Sequence, residues 1–213
     1  IDVEKLSSHR FPLNSELTKD DILIICGDWG CIWCGDGQDK YWQKWYEDKN
    51  WTTFVVLGNH ENYDLIETYP IVDFCGGKAR KVSDSVYLEI RGEIYNFNGK
   101  TFLSFGGADS HDKEYRKLGV SMWAGERITE ADVEHALENL KKVDNKVDFI
   151  ISHTGGTEVN SMLGFMPTES DKMLDSVLAN AVFEKHYCGH YHVDMPLINH
   201  RILYDDIIEL RED

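Results

Sequence analysis

At 213 residues and 42% hydrophobic content the chain is long enough to bury a sizeable core, and it reads as a single domain over residues 1–213. A formal charge of −16 opposes nucleic-acid backbones and anionic membrane surfaces, so neither is an expected partner. The same field repels a phosphate-bearing substrate unless metal ions reverse its sign locally.

No apolar run reaches the ~18–20 residues of a membrane span. Five cysteines, an odd number, fit a reducing compartment, and a cytoplasmic location is expected. Cys31 and Cys34 form a C-x-x-C pair without a second pair or a nearby histidine pair to complete a zinc site.

Residues 3–8 suggest a short helix broken by Pro12. Residues 22–26 are continuously apolar and end in Gly27 and Asp28, which reads as a strand buried on both faces. A glycine-rich loop spans 30–37, and an aromatic helix with Tyr41, Trp42, Trp45 and Tyr46 is expected over 39–49, its rings mainly in the core. Residues 53–57 are a second buried strand ending in Gly58, Asn59, His60 and Glu61, with a helix expected to follow to about Thr68. Residues 84–106 alternate apolar and polar, with Asn98 and Gly99 as a turn signal, and read as a β-meander. A loop follows. Thr129 with Asp132 opens a helix running to about Val143. A third buried strand over 147–151 ends in Ser152, His153 and Thr154. A loop leads to a helix over 170–184, then to a short strand over 186–188 and the stretch Gly189, His190, Tyr191, His192. Final strands are expected over 201–204 and 207–210.

Four apolar strands thus end in punctuation of one kind: G-D, G-N-H-E, S-H-T and G-H-Y-H. If those ends share one sheet edge, they bring together Asp28, Asn59, His153, His190 and His192, with His60 alongside. In an extended segment His190 and His192 would face the same way. A mixed nitrogen and oxygen donor set suits Mn, Fe, Zn or Ni and not calcium. Asp109, His111 and Arg116 follow Gly106 and Gly107 and could border a substrate, an arginine there clamping a phosphate.

This order of motifs resembles the calcineurin-like metallophosphoesterase superfamily over nearly the whole chain. The resemblance implies an α/β fold, a β-sandwich flanked by helices in α/β/β/α layers, with a dinuclear metal site at strand C-terminal ends. It implies a metal-dependent phosphoester hydrolase, phosphatase or phosphodiesterase, using a metal-activated hydroxide for in-line attack on phosphorus. Asp28 would bridge the metals, Asn59, His153 and His190 would complete one site, and His192 would serve the other. His60 and Asn59 would be the catalytic pair, with His60 binding the phosphate and protonating the leaving oxygen and Glu61 orienting it. The implied cofactors are two divalent transition metals, Mn²⁺ first and Fe, Zn or Ni next. The implied substrate is a small phosphoester or a phosphoprotein.

The family opens with D-x-H at the end of its first strand, and neither Asp2 nor His9 supplies that motif. The first strand and its D-x-H are therefore expected upstream of Ile1. The alternative function is a non-catalytic scaffold of the same fold, which would be expected to lack the histidine at position 60. A redox or single-metal protein using Cys31 and Cys34 would need further convergent thiolates.

Overall fold

The computed structural model describes residues 3–110, 112 and 114–210. Strands β1 (Ile22–Cys26), β2 (Thr52–Val56), β3 (Ile71–Phe74), β4 (Gly77–Ser83) and β5 (Val86–Glu89) form one sheet in the order β1-β2-β5-β4-β3. In it β1, β2 and β5 run parallel, and the β3–β4 hairpin closes one side antiparallel. Strands β6 (Ile94–Phe97), β7 (Lys100–Phe105), β8 (Phe149–Ser152), β9 (Lys185–Cys188), β10 (Met195–Pro196) and β11 (His200–Ile202) form a second sheet in the order β10-β11-β9-β8-β7-β6. Its central strands β7, β8, β9 and β11 are parallel. Helices are α1 (Gly37–Glu47), α2 (Tyr63–Ile66), α3 (Glu130–Lys141), α4 (Gly156–Leu163) and α5 (Glu169–Leu178).

The continuous apolar runs are explained by what covers each face. On β2, Val55 packs outward with Tyr46 of α1 and Ile66 of α2, while Phe54 and Val56 point inward. On β8, Ile150 packs with Leu140 of α3 and Leu174 of α5, while Phe149 and Ile151 point inward. The inward residues of both sheets meet in one aromatic cluster with Tyr95, Phe97 and Phe102. Side-chain alternation therefore places helices outside two stacked sheets, an α/β/β/α order.

Several expectations are corrected. The stretch 84–106 is not one meander: β5 belongs to the first sheet, and β6 and β7 to the second. Only the hairpin within it holds, with Asn98 and Gly99 both in left-handed conformations. The β3–β4 hairpin and α4 were not legible, because β4 is largely polar and both β4 and α4 begin at glycine. Helix α1 starts at Gly37, where the Asp36 carboxylate accepts from the Gln38 and Asp39 N–H groups. Thr129 and Asp132 cap α3 reciprocally, as their spacing predicts.

Strand β1 departs from the expected double burial. It lies at the edge of its sheet, and only Ile25 of its five residues is buried. A groove of about 780 Å³ runs along it. Residues 207–210, expected as a strand, line the same groove without forming one. All five cysteines are free. Among the described residues, no helix is long and apolar enough to cross a membrane.

One buried carboxylate ties the sheets together. Glu89 of β5 accepts from the Leu57 N–H at 2.8 Å and from the Ser104 hydroxyl on β7. Burial pushes its carboxyl up to about 7 from 4.5. Between those values the folded chain holds a proton that the unfolded chain releases, so this group makes stability fall as pH rises through the window. Glu89→Gln should remove that slope. Denaturant titrations of both proteins from pH 5 to 8 should show wild type losing on the order of 3 kcal/mol relative to the variant. A constant difference across that range would rule out burial of a titrating Glu89.

Candidate metal centre

Each motif glycine is placed by close approach. A Cβ at Gly27 would lie 2.0 Å from His153 Nδ1, and one at Gly58 would lie 2.2 Å from the Asp28 carboxylate. Only glycine leaves room for β1 and β2 to end beside the groups that follow them. The strands come from different sheets: Asp28 and Asn59 follow β1 and β2, while His153 and His190 follow β8 and β9. The site therefore straddles both sheets at their C-terminal ends, not the single sheet edge expected.

Four side chains meet there. His153 Nε2 lies 3.0 Å from Asn59 Oδ1, 3.2 Å from His190 Nδ1 and 3.4 Å from Asp28 Oδ1. Its other nitrogen is 2.8 Å from the Cys26 carbonyl, which fixes the ring. His153 and Asn59 are buried. Asp28, His190 and His192 all hold left-handed backbones, at φ 54°, 71° and 53°. Non-glycine residues rarely do so, and such strain gathers at functional sites.

The electrostatics are coupled. Burial raises the Asp28 carboxyl, but His153, His60 and His190 outweigh it and hold it well below the usual carboxylate range. Burial lowers His153, but Asp28 overrides this and lifts it to about 9. Burial and Asp28 together push Glu61 up to about 7.

The sequence matches the family model for calcineurin-like phosphoesterase over residues 5–194. The chain belongs to the calcineurin-like phosphoesterases. No curated protein matches it. The family is one of metal-dependent hydrolases acting on phosphoester bonds.

The donor chemistry fits a divalent ion in a calcineurin-like phosphoesterase. Bonds of about 2.0–2.2 Å put neighbouring ligand atoms roughly 3.0–3.4 Å apart, the spacing found around His153 Nε2. Among the described residues, no group of three or more His, Cys, Asp or Glu side chains is arranged to hold a metal ion. His192 is exposed and lines the same groove, but its ring stacks on Tyr204 with centroids 4.9 Å apart. The stretch after Cys188 bends, so His190 and His192 do not share one extended face as the sequence suggested.

The remaining candidates are placed as follows. His60 is half-buried, and its backbone N–H donates to Asp28 Oδ1 at 3.0 Å. Glu61 does not orient it: the Glu61 carboxylate accepts from Trp29 N–H at 2.5 Å and Gly58 N–H at 2.7 Å, locking the loop after β1 to the loop after β2. Asp109 binds Arg127 Nε at 2.8 Å and accepts from the Ser170 N–H at 3.0 Å. The Arg116 side chain is 6% exposed and paired with Glu126 at 2.8 Å. His111 lies outside the described residues.

Sequence reasoning missed three residues that build this site. Tyr191, between the two histidines, places its hydroxyl 2.9 Å from Gly155 N and 2.8 Å from Asn160 Nδ2, tying the G-H-Y-H bend to the loop after His153. Its place inside the motif was the available signal. Ser110 bonds to Asn59 and Glu126 bonds in turn to Ser110, and nothing local in the sequence marks either.

Proposed function

We propose that this protein hydrolyses phosphoesters at a dinuclear centre of divalent transition metals, with His60 as the proton donor. The observation that carries this reading is the convergence of Asp28, Asn59 and His190 on His153 Nε2 at 3.0–3.4 Å, where strand ends of both sheets meet. Asn59, His153 and His190 would hold one ion, His192 would serve the other, and Asp28 would lie between them. When bound, such ions polarise a phosphoryl group, acidify the attacking water and offset the acidic field of the chain.

His60 touches Asp28 through its backbone N–H, and the proposed donor set does not use its ring. That position suits it to hold a phosphate oxygen and to protonate the leaving oxygen. The charge of −16 favours a small phosphoester or a phosphoprotein over nucleic acid. Mn²⁺ is the first ion to test, with Fe, Zn and Ni equally compatible with the donor types. Five free cysteines support a cytoplasmic setting.

The test is hydrolysis of p-nitrophenyl phosphate and bis(p-nitrophenyl) phosphate with Mn²⁺ and after chelation. Turnover that disappears with the metal is expected, and the preferred ester separates phosphatase from phosphodiesterase. A folded, Mn²⁺-loaded chain that turns over neither ester would overturn the reading in favour of a scaffold.

A further inference from the structure

A buried polar network stands directly behind Asn59. The Asn59 Nδ2 group donates to Ser110 Oγ at 2.9 Å, and Ser110 Oγ lies 3.1 Å from Glu126 Oε2. Arg116 grips the network through its whole fork. Its Nη2 donates to Glu126 Oε1 at 2.8 Å and to the Asn59 carbonyl at 3.0 Å, its Nη1 donates to Ser110 Oγ, and its Nε donates to the Ser121 carbonyl at 2.6 Å. Glu126 also accepts from the Trp123 N–H at 2.8 Å. Asn59, Ser110 and Glu126 are all buried, and so is the Arg116 side chain.

The donors and acceptors give this network a direction. Glu126 offers only acceptors when ionised, so the single Ser110 proton goes to it. Ser110 then presents lone pairs, which receive the Asn59 NH₂ group and one Arg116 N–H. With its NH₂ group held there, the amide has its oxygen on the opposite side, 3.0 Å from His153 Nε2. A flipped amide would set its oxygen against the Ser110 lone pairs and its NH₂ group toward the cation position.

We propose that Ser110 and Glu126 are positioning residues that fix which face of the Asn59 amide meets the metal, with Arg116 clamping them in place. The proposal rests on the reading of Asn59 as a metal ligand. It gives Arg116 a role behind the ligand, its guanidinium being committed to Glu126 and the Asn59 backbone. Outer partners of this kind usually change metal affinity by about 10–100-fold when removed.

The experiment uses the full chain with Mn²⁺ alone as the probe, and it compares wild type with Ser110→Ala, Ser110→Thr and Glu126→Gln. Calorimetric titration should show Mn²⁺ affinity about 10–100-fold weaker in Ser110→Ala and Glu126→Gln. Ser110→Thr keeps the hydroxyl and should restore affinity to near wild type, which a packing role alone would not do. The metal-free readout is the Asn59 side-chain NH₂ pair in ¹⁵N-correlated NMR spectra. Its hydrogen-bonded shift should be present in wild type and Ser110→Thr and lost in Ser110→Ala. A folded Ser110→Ala that keeps both the wild-type NH₂ shifts and the wild-type affinity would overturn the proposal. If wild type binds no Mn²⁺, the metal-centre reading fails, and the NH₂ shifts still decide whether Ser110 sets the amide.

Discussion

Replacing His60 by alanine is expected to slow hydrolysis of alkyl phosphoesters by roughly 10²–10⁴-fold while leaving Mn²⁺ binding intact, the range for loss of a general acid. The substitution is clean. Asp28 is held by the His60 backbone N–H, which alanine retains. The ring itself belongs to no metal contact in the proposed centre. Burial lowers the His60 pKa, opposed by Asp28 and reinforced by Arg116, so in the free chain the imidazole is neutral at pH 7. A bound phosphate brings negative charge beside it and favours its protonated form. The proton is therefore available when substrate is present.

The leaving group provides the control. An alkoxide must be protonated as the P–O bond breaks, whereas p-nitrophenolate leaves readily without a proton. The His60→Ala defect should thus be large for an alkyl ester and much smaller for p-nitrophenyl phosphate. Equal defects on both would point to a phosphate-binding role alone, and no defect on either would remove His60 from the reaction.

The parts of this molecule that were legible in the sequence are those set by local chemistry. The runs 22–26, 53–57 and 147–151 are apolar on both faces, and helices cover one side of β2 and β8 and the opposing sheet the other. Their glycine-polar endings marked Asp28, Asn59 and His153, and the structure brings these three side chains together. The glycines carried more than turn propensity: Gly27 makes room for His153 and Gly58 for Asp28, contacts that join distant parts of the chain.

What failed was long-range. Nothing in residues 84–106 shows that the chain leaves one sheet for the other after Glu89. Adjacency suggested that Glu61 serves His60, but its carboxylate instead satisfies two backbone N–H groups on separate loops. Arg116 was read as free to meet a phosphate because its partner, Glu126, is ten residues away and gives no local sign of burial.

Asp28→Asn is the second large effect, and it separates charge from shape. Asparagine tolerates the left-handed backbone at φ 54° as well as any residue but glycine, so the substitution adds no backbone strain. Its amide oxygen can still accept from the His60 N–H. What disappears is the one formal negative charge among the proposed ligands Asp28, Asn59, His153, His190 and His192. Wild type should gain about 2.7 kcal/mol of stability at Mn²⁺ one hundred times above its dissociation constant, while Asp28→Asn should gain little at the same concentration.

The metal-free proteins should differ too, in a pH-dependent way. The Asp28 carboxyl is depressed on folding, so its contribution is present above the unfolded carboxylate range and is lost as pH falls through the folded value. His153 is raised to about 9 by Asp28, so its contribution is complete below about pH 6.5 and is lost as pH rises through 9. The pair therefore stabilises the metal-free fold most between roughly pH 5 and 7. Asp28→Asn should flatten that maximum as well as abolish the Mn²⁺ response. Thermal melts at pH 4, 6 and 9.5, with and without Mn²⁺, read both effects. A variant that keeps wild-type Mn²⁺ stabilisation would remove Asp28 from the centre, and one that keeps the pH maximum would mean that His153 is raised by some other group.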